Sequence, residues 1–206
     1  MKEKLMNGLK WFFKSFIWLG VLLLIVDIIT KQVIIHTGTP DTVIADWGFV
    51  HISYVLNYHA AFGFGPENKD VSRIVYLVTA SVISIALVVY LILKRKQTKL
   101  FVRAALVMVV TGAIGNMIDR IFYGPYYAVV DWIDFYWFWP FVFNIADCCI
   151  VIAAFMLVIY VIVQEVKDYR AKNKATVKPV GKTEKVLSKS EKEKLEMENA
   201  QEKESK

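Results

Sequence analysis

Cysteine and histidine are scarce in this sequence. Its 206 residues include only two cysteines and three histidines. The two cysteines, Cys148 and Cys149, are adjacent within an apolar run. That position favours neither a disulfide nor a metal site, and we interpret both as small packing residues. The chain also has no HExxH pattern and no histidine cluster, so we expect neither a metal nor a cofactor.

Charge is missing from long stretches of the chain. Residues 74–93 contain no Asp, Glu, Lys or Arg, although 21% of all residues are charged and 56% are hydrophobic. A soluble domain spreads its charges over its surface, whereas here they are gathered at the termini and in short connections. This segregation excludes an ordinary soluble domain and indicates a membrane protein with several spans. The net charge of +6 then favours contact with anionic membrane lipids, and we expect no nucleic acid partner.

Four apolar segments are long enough to cross a bilayer. We therefore predict an all-α membrane fold, a four-helix bundle with spans at about 11–35, 74–93, 101–119 and 139–163. Four lysines in residues 1–14 precede the apolar run 16–26, but the apolar pattern is too long for a signal peptide and has no convincing cleavage site. We expect the first span to remain uncleaved.

The segments between and after the spans complete the predicted organisation. The connection 36–72 is too long for a turn, and the alternation at 50–56 predicts short strands lying on the membrane surface. We predict a four-span membrane domain at 1–166 and a Lys/Glu-rich tail at 167–206, either disordered or a solvated helix.

The distribution of lysine and arginine orients the predicted bundle. Basic residues are concentrated in the N-terminal segment, in 94–103 and in the C-terminal tail, and these segments should be cytoplasmic. The connections 36–72 and 120–139 contain few basic residues and should lie on the extracytoplasmic side. The aromatic run 136–139 is typical of a membrane interface.

Several polar residues interrupt the apolar spans, where hydrocarbon does not solvate charge. They are Asp27, Lys31, Asn116, Asp119, Arg120, Asn144 and Asp147. The predicted topology places all of them near the outer surface, close to Asn57 and Asp131 of the outer connections. Independent structural pairs would scatter in depth, so this convergence predicts a single functional site.

Two features of these polar residues leave alternatives open. Asp27 and Lys31 share a helix face, and they are either a mutually neutralising pair or part of the site. Gly112 and Gly115 share a face with Asn116 and Asp119, which predicts close helix packing that ends in a polar cluster. Arg120 would then neutralise Asp119 or another acid.

Asp131 and Asp147 are the residues that we expect to carry the chemistry. If they face one another, their like charges prevent both from ionising, as in the dyad of an aspartic protease. One alternative is a proton- or ion-coupled transporter, and another is a scaffold whose acids only neutralise Arg120 and Lys31. Against a transporter, the acids cluster at one surface and the chain shows no internal repeat.

Five ordered segments resemble the lipoprotein signal peptidases (signal peptidase II), a family of bacterial membrane aspartyl proteases. They are the Asp27…Lys31 pair and the segments 57–62, 112–120, 129–132 and 143–147. The resemblance covers about residues 15–165. The chain departs from the family pattern at Ile28, at Tyr58-His59 and at Trp132, and these departures concern the substrate pocket. We interpret His59 itself as a hydrogen-bonded or solvated loop residue.

The resemblance implies an activity, a substrate and a set of site residues. Asp131 and Asp147 would be the catalytic aspartates. The residues expected to hold substrate or orient the acids are Asn57, Asn116, Arg120 and Asn144, and those expected to anchor the structure are Asp27, Asp119 and Lys31. The substrate would be a prolipoprotein with a diacylglyceryl-modified cysteine, cut just before that cysteine. The enzyme would be a monomer in the bacterial cell membrane, with its site on the extracytoplasmic face.

Overall fold

The computed structural model describes residues 2–59, 66–123, 127–176 and 197. Within these residues the helices are α1 (Lys2–Ser15), α2 (Ile17–Thr37), α3 (Lys69–Leu93), α4 (Leu100–Phe122) and α5 (Ile145–Thr176). The strands are β1 (Thr42–Asp46), β2 (His51–Asn57), β3 (Val129–Asp134) and β4 (Val142–Phe143).

The chain divides into two compact units, Met1–Val161 and Ile162–Lys206. The first unit contains α1–α4, the strands and the first half of α5. Of the second unit, residues 162–176 continue α5 as a helix whose described side chains are almost all exposed. The helix therefore extends ten residues beyond the predicted domain boundary at 166, and residues 177–196 and 198–206 of the predicted tail lie outside the described residues.

Four helices are long and apolar enough to cross a membrane: α2, α3, α4 and residues 145–173 of α5. Their outward side chains include large apolar groups such as Ile29, Ile85 and Phe155, each more than half exposed. Lipid is as apolar as these side chains, so such a surface is stable in a bilayer and not in water. The predicted class, a four-span membrane bundle with a small β-rich part, is confirmed.

The predicted start of the first span, at about residue 11, is too early. Residues 11–15 belong to α1, and the spanning helix begins only at Ile17 because Phe16 takes a left-handed backbone conformation with φ of 61°. The Ser15 hydroxyl stabilises the break, since it donates to the Phe12 carbonyl at 2.6 Å and accepts from the Ile17 N–H at 3.3 Å. Hydropathy continues through this break, so the apolar pattern did not reveal it.

The fourth predicted span also begins too early. The structure starts α5 at Ile145, six residues after 139, because Val142 and Phe143 pair with β3 as the short strand β4. Pro140 precedes β4 and has no backbone N–H to donate to a helix. Asn144 consequently stands just before the helix instead of inside it.

The four strands form one antiparallel sheet in the order β1-β2-β3-β4. The alternation at 50–56 correctly predicted β2. Residues 129–134 were expected only as part of the outer connection 120–139, and the structure shows that they form the strand β3. Its partner β2 is more than 70 residues away, with Asn57 opposite Val129 and Val55 opposite Asp131. The sheet thereby brings the end of β2 next to the first acidic residue of β3.

Two apolar clusters hold the first unit together. Ile34, Tyr54 and Val130 join the end of α2 to the sheet, and each is at most 5% exposed. Ala105, Met108, Cys149 and Ala153 join α4 to α5. Cys149 is thus a packing residue, and both cysteines are free thiols.

Candidate active site

Asp131 lies in β3 and is almost completely buried, with 2% of its surface exposed. Both of its carboxylate oxygens accept hydrogen bonds. The Asn57 side-chain amide donates to Oδ2 at 2.9 Å, and the Asn144 side-chain amide donates to Oδ1 at 2.6 Å. One donor comes from the neighbouring strand and the other from the start of α5, so the carboxylate lies where sheet and bundle meet.

Asp147 lies in the first turn of α5, and Asn144 caps that helix. The Asp147 N–H donates to Asn144 Oδ1 at 2.9 Å, while the Asn144 N–H donates to Asp147 Oδ2 at 3.2 Å. This reciprocal pair is a capping box, which satisfies two helix-end donors. Asn116 of α4 donates to the other Asp147 oxygen at 2.8 Å. The separation of three residues between Asn144 and Asp147 is therefore that of the two members of a capping box.

Asn144 joins the two aspartates. Its side-chain amide donates to Asp131, its backbone N–H donates to Asp147, and it is completely buried. Burial, together with the nearby charge of Asp147, raises the pKa of Asp131 from 3.8 to about 8, although the bonds from Asn57 and Asn144 oppose the shift. This environment therefore favours the protonated form of the Asp131 carboxyl at neutral pH.

Lys31 is the centre of a buried charge cluster beside the aspartates. Its ammonium lies 2.8 Å from Asp27 Oδ2, 2.8 Å from Asp119 Oδ2 and 3.2 Å from Asn116 Oδ1. Because an amide accepts only through its oxygen, this last bond turns the Asn116 NH₂ group toward Asp147. Lys31 therefore orients a residue that holds Asp147.

The two acids of this cluster also anchor backbone. Asp27 Oδ1 accepts from the Ala146 N–H at 2.9 Å, and Asp119 Oδ2 accepts from the Val130 N–H at 3.2 Å. Ala146 precedes Asp147 and Val130 precedes Asp131. Each acid of the cluster thus fixes the backbone one residue before an aspartate of the pair.

The glycine face of α4 allows this approach. A Cβ on Gly115 would lie 2.7 Å from Asp27 Oδ2 and 3.0 Å from the Ala146 side chain. A Cβ on Gly112 would overlap the Ala146 carbonyl. The close packing predicted from the glycine spacing is present at the point where α4 meets α2 and α5.

Asp119 pairs with Lys31, so Arg120 does not form the ion pair with Asp119 that was one of the two expectations. The other expectation, that Arg120 offsets another acid, agrees with the negative charges of Asp131 and Asp147, which act on its guanidinium.

The guanidinium of Arg120 donates to the His59 carbonyl at 2.8 Å and to the Asn116 carbonyl at 3.3 Å. Arg73, which sequence reasoning missed, donates to the Arg120 carbonyl at 2.8 Å. The only sequence signal for Arg73 is an isolated arginine at the start of an apolar run.

The segment after Asn57 is described only in part. The side-chain Oδ1 of Asn57 accepts from the His59 N–H at 2.9 Å, and no described residue bonds the buried His59 Nδ1. Residues 60–62 of the predicted 57–62 motif lie outside the described residues, as do Gly124 and Pro125.

Asp134 is not part of this site. It accepts from the Ser53 hydroxyl at 3.0 Å and lies 4.0 Å from the ring nitrogen of His51. Within the described ranges, no three His, Cys, Asp or Glu side chains are placed to hold a metal ion. The described part of the site brings together two carboxyl groups and the amide donors that surround them.

The four-span bundle and the two neighbouring carboxyl groups at one end place this protein in a class, the multi-pass membrane proteins that contain an aspartate pair. Residues 19–163 match the family model of signal peptidase (SPase) II. The chain belongs to the signal peptidase II family, as its five motifs predicted, and it is a protease.

Relatives and solved structures agree with this assignment. A lipoprotein signal peptidase of Haemophilus influenzae is 32% identical over 161 residues, 77% of this chain and 91% of the relative. Another, of Fusobacterium nucleatum, is 36% identical over 146 residues, 70% of this chain and 84% of the relative. A bacterial membrane enzyme solved by the in meso method at 2.3 Å resolution is 30% identical, with a TM-score of 0.62, and the match covers 72% of this chain and 88% of that one.

Proposed function

We propose that Asp131 and Asp147 are the catalytic pair of this signal peptidase, which removes the signal peptide from prolipoproteins. The observation that carries the proposal is Asn144, which is hydrogen-bonded to both aspartates at once. A bridge of this kind holds the two carboxyl groups in a fixed relation, as a dyad that shares a proton requires. The family assignment supports a protease over the transporter and scaffold alternatives.

The surroundings of the two aspartates favour different protonation states. Asp147 accepts from the Asn116 amide and the Asn144 N–H, and it lies in the first turn of α5, where the helix dipole stabilises negative charge. Asp131 is more deeply buried and is not at a helix N-terminus, so its surroundings stabilise negative charge less. In the free enzyme, the shared proton therefore resides on Asp131, and Asp147 is ionised.

This distribution supports a general acid–base mechanism. Ionised Asp147 removes a proton from a water molecule, which attacks the scissile carbonyl. Asp131 donates a hydrogen bond to that carbonyl oxygen and stabilises the charge that develops on it. The tetrahedral intermediate then collapses, and a proton passes from the pair to the leaving amine. Because the carboxyls are coupled, the proton belongs to the pair through the later steps.

The remaining polar residues have supporting roles in this proposal. Asn57, Asn116 and Asn144 orient the carboxyl groups, and the Lys31 cluster fixes the backbone beside them. Arg120 holds the His59 carbonyl, so it positions the segment that follows Asn57 at the edge of the site. Arg120 is thus a positioning residue.

We further propose a monomer in the bacterial cell membrane, with both termini cytoplasmic and the aspartates at the extracytoplasmic face. The distribution of lysine and arginine supports this orientation. The substrate would be cut just before a diacylglyceryl-modified cysteine, since a site at the membrane surface suits a substrate held there by lipid.

Incubation of the purified protein with a diacylglyceryl-modified prolipoprotein tests the proposal, with mass spectrometry of the products. The expected new N-terminus is the lipidated cysteine. The same prolipoprotein without the lipid is the control and should remain largely uncut. Equal cleavage of both forms would contradict the proposed substrate class, and a cut elsewhere would contradict the proposed position.

A further inference from the structure

A cavity of about 570 Å³ lies at the end of the bundle opposite to the aspartate pair. It is lined by the first half of α2, the last turns of α3 and the first half of α4, with Trp11 and Ser15 of α1. The aspartates, by contrast, lie near the end of α4 and the start of α5. Its size is within the range of small-molecule sites.

The inner wall of the cavity is tightly closed. A Cβ on Gly20 would lie 2.7 Å from Thr111 Oγ1 and 2.9 Å from Val107 Cγ1, so α2 and α4 are in direct contact there. Most of the remaining lining is aliphatic, including Val21, Leu24 and Ile114. Such walls suit a hydrocarbon chain and offer little to a polar ligand.

Two arginines stand at the rim of the cavity. Arg103 donates to the Lys14 carbonyl at 2.9 Å and to the Thr98 carbonyl at 3.1 Å, which fixes the position of its guanidinium. Its Nε–H is buried without a hydrogen-bond partner in the part of the chain that the structure describes. The guanidinium of Arg95 lies over the Trp11 ring, 5.6 Å from its centroid.

No carboxylate among the described residues neutralises these arginines. Among the described residues, the salt bridges involve Lys31 and His51, and none involves Arg95 or Arg103. Exposed Lys94 and Lys96 add further positive charge beside them. The cavity therefore combines an apolar interior with a positive rim that includes one unsatisfied buried donor.

We propose that this cavity binds an anionic phospholipid, with an acyl chain inside the apolar walls and the phosphate at Arg95 and Arg103. A guanidinium matches phosphate geometry, and a phosphate oxygen would satisfy the Arg103 Nε–H. We expect the cavity to bind anionic lipids more tightly than zwitterionic lipids with the same acyl chains, because only the anionic headgroup carries a net negative charge. A signal peptide is a poorer occupant, since its N-terminal region is positively charged and the rim would repel it.

Native mass spectrometry of the full-length protein tests this proposal. The protein is equilibrated with equal amounts of phosphatidylglycerol and phosphatidylcholine that carry the same acyl chains, and the retained lipid is counted. Wild type should retain mainly phosphatidylglycerol. Arg95→Gln should lower that retention about fivefold, the effect of one basic residue at an anionic membrane surface, and Arg95→Gln with Arg103→Gln should lower it further.

The matched control is Lys94→Gln with Lys96→Gln, which removes two positive charges outside the cavity lining and should change retention less than twofold. Arg103 donates to backbone carbonyls, so its substitution in the double variant could unfold the protein. Arg95 is exposed, so the single variant Arg95→Gln decides the outcome in that case. Equal retention of the two lipids by wild type would overturn the proposal. So would an equal loss in the lysine control, or displacement of the lipid by a synthetic signal peptide with a basic N-terminal region.

Discussion

Asn144 is hydrogen-bonded to both Asp131 and Asp147, so we expect a substitution of either aspartate to affect the function of the pair. Asp131→Asn and Asp147→Asn should each abolish cleavage of a lipidated prolipoprotein, since an amide neither removes a proton from water nor gives one to the amine. The double variant should be little worse than either single one, because each change alone breaks the shared-proton unit. Product formation by mass spectrometry is the measurement.

Asp134→Asn is the control for this pair. Asp134 is three residues from Asp131 in the same strand, but it is bonded to Ser53 and takes no part in the proposed proton transfer. The Asp134→Asn variant should therefore retain measurable cleavage activity. An inactive Asp134→Asn beside an active Asp131→Asn would show that the wrong acid had been assigned.

The raised pKa of Asp131 predicts an alkaline limit to activity. The proposed mechanism needs Asp131 protonated, and with a pKa of about 8 its protonated fraction falls as pH rises through that value. The kcat/KM for cleavage should therefore decline above about pH 8. Asn57 donates to this carboxylate and lowers its pKa, so Asn57→Ala should move the decline to higher pH.

Comparison of the two pH profiles separates this effect from simple damage. A merely structural loss in Asn57→Ala would lower the whole profile without moving it. An alkaline limit at the same pH in both proteins, or a limit that moves to lower pH, would contradict the role given to Asp131.

At the scale of elements, Lys31 holds α2, α4, α5 and β3 together through Asp27 and Asp119. Lys31→Met would leave two buried carboxylates without their cation, and breaking a buried ion pair costs about 3–5 kcal/mol. We expect a large loss of thermal stability in detergent. Lys94→Met, at an exposed position just after α3, is the control and should unfold at nearly the wild-type temperature. Equal stability of the two variants would exclude the structural role of Lys31.

The glycine contact between α4 and its neighbours gives a second test at this scale. Gly115→Ala places a methyl group 2.7 Å from Asp27 Oδ2, and overpacking of this kind costs about 1–3 kcal/mol. Gly8→Ala in α1 is the matched control, because nothing lies within 4 Å of its added Cβ. Thermal unfolding should show a lower midpoint for Gly115→Ala only, and an unchanged midpoint would mean that the helices separate at little cost.

The sequence predicted these elements unequally, for physical reasons. Hydropathy located the four spans because the solvation cost of charge in lipid is large and local in the chain. It missed the break at Phe16, since a single backbone dihedral leaves the apolar pattern unchanged. It also missed β3, because strand pairing with β2 is a long-range contact. The bridging role of Asn144 depends on where α5 begins, and the apolar run placed that start six residues too early.

At the scale of the whole molecule, the orientation in the membrane can be tested by labelling. Glu67→Cys and Gln97→Cys are made separately in a Cys148→Ala, Cys149→Ala background, and both positions are exposed in the structure. An impermeant thiol reagent should label position 67 in intact cells and position 97 only after the membrane is opened. The opposite pattern would place the aspartates at the cytoplasmic face.

The hydrogen bond from Ala146 to Asp27 joins residues 119 positions apart. Asp27 enters the membrane with the first span, whereas Ala146 belongs to the last. During synthesis, the first three spans are therefore already in the bilayer while Asp27, Lys31 and Asp119 still lack part of their partners. Insertion of α5 supplies Asn144 and Asp147 together, so under the proposed catalytic roles proteolytic competence arises in one late step. A chain that stops before this helix should therefore insert into the membrane and lack proteolytic activity.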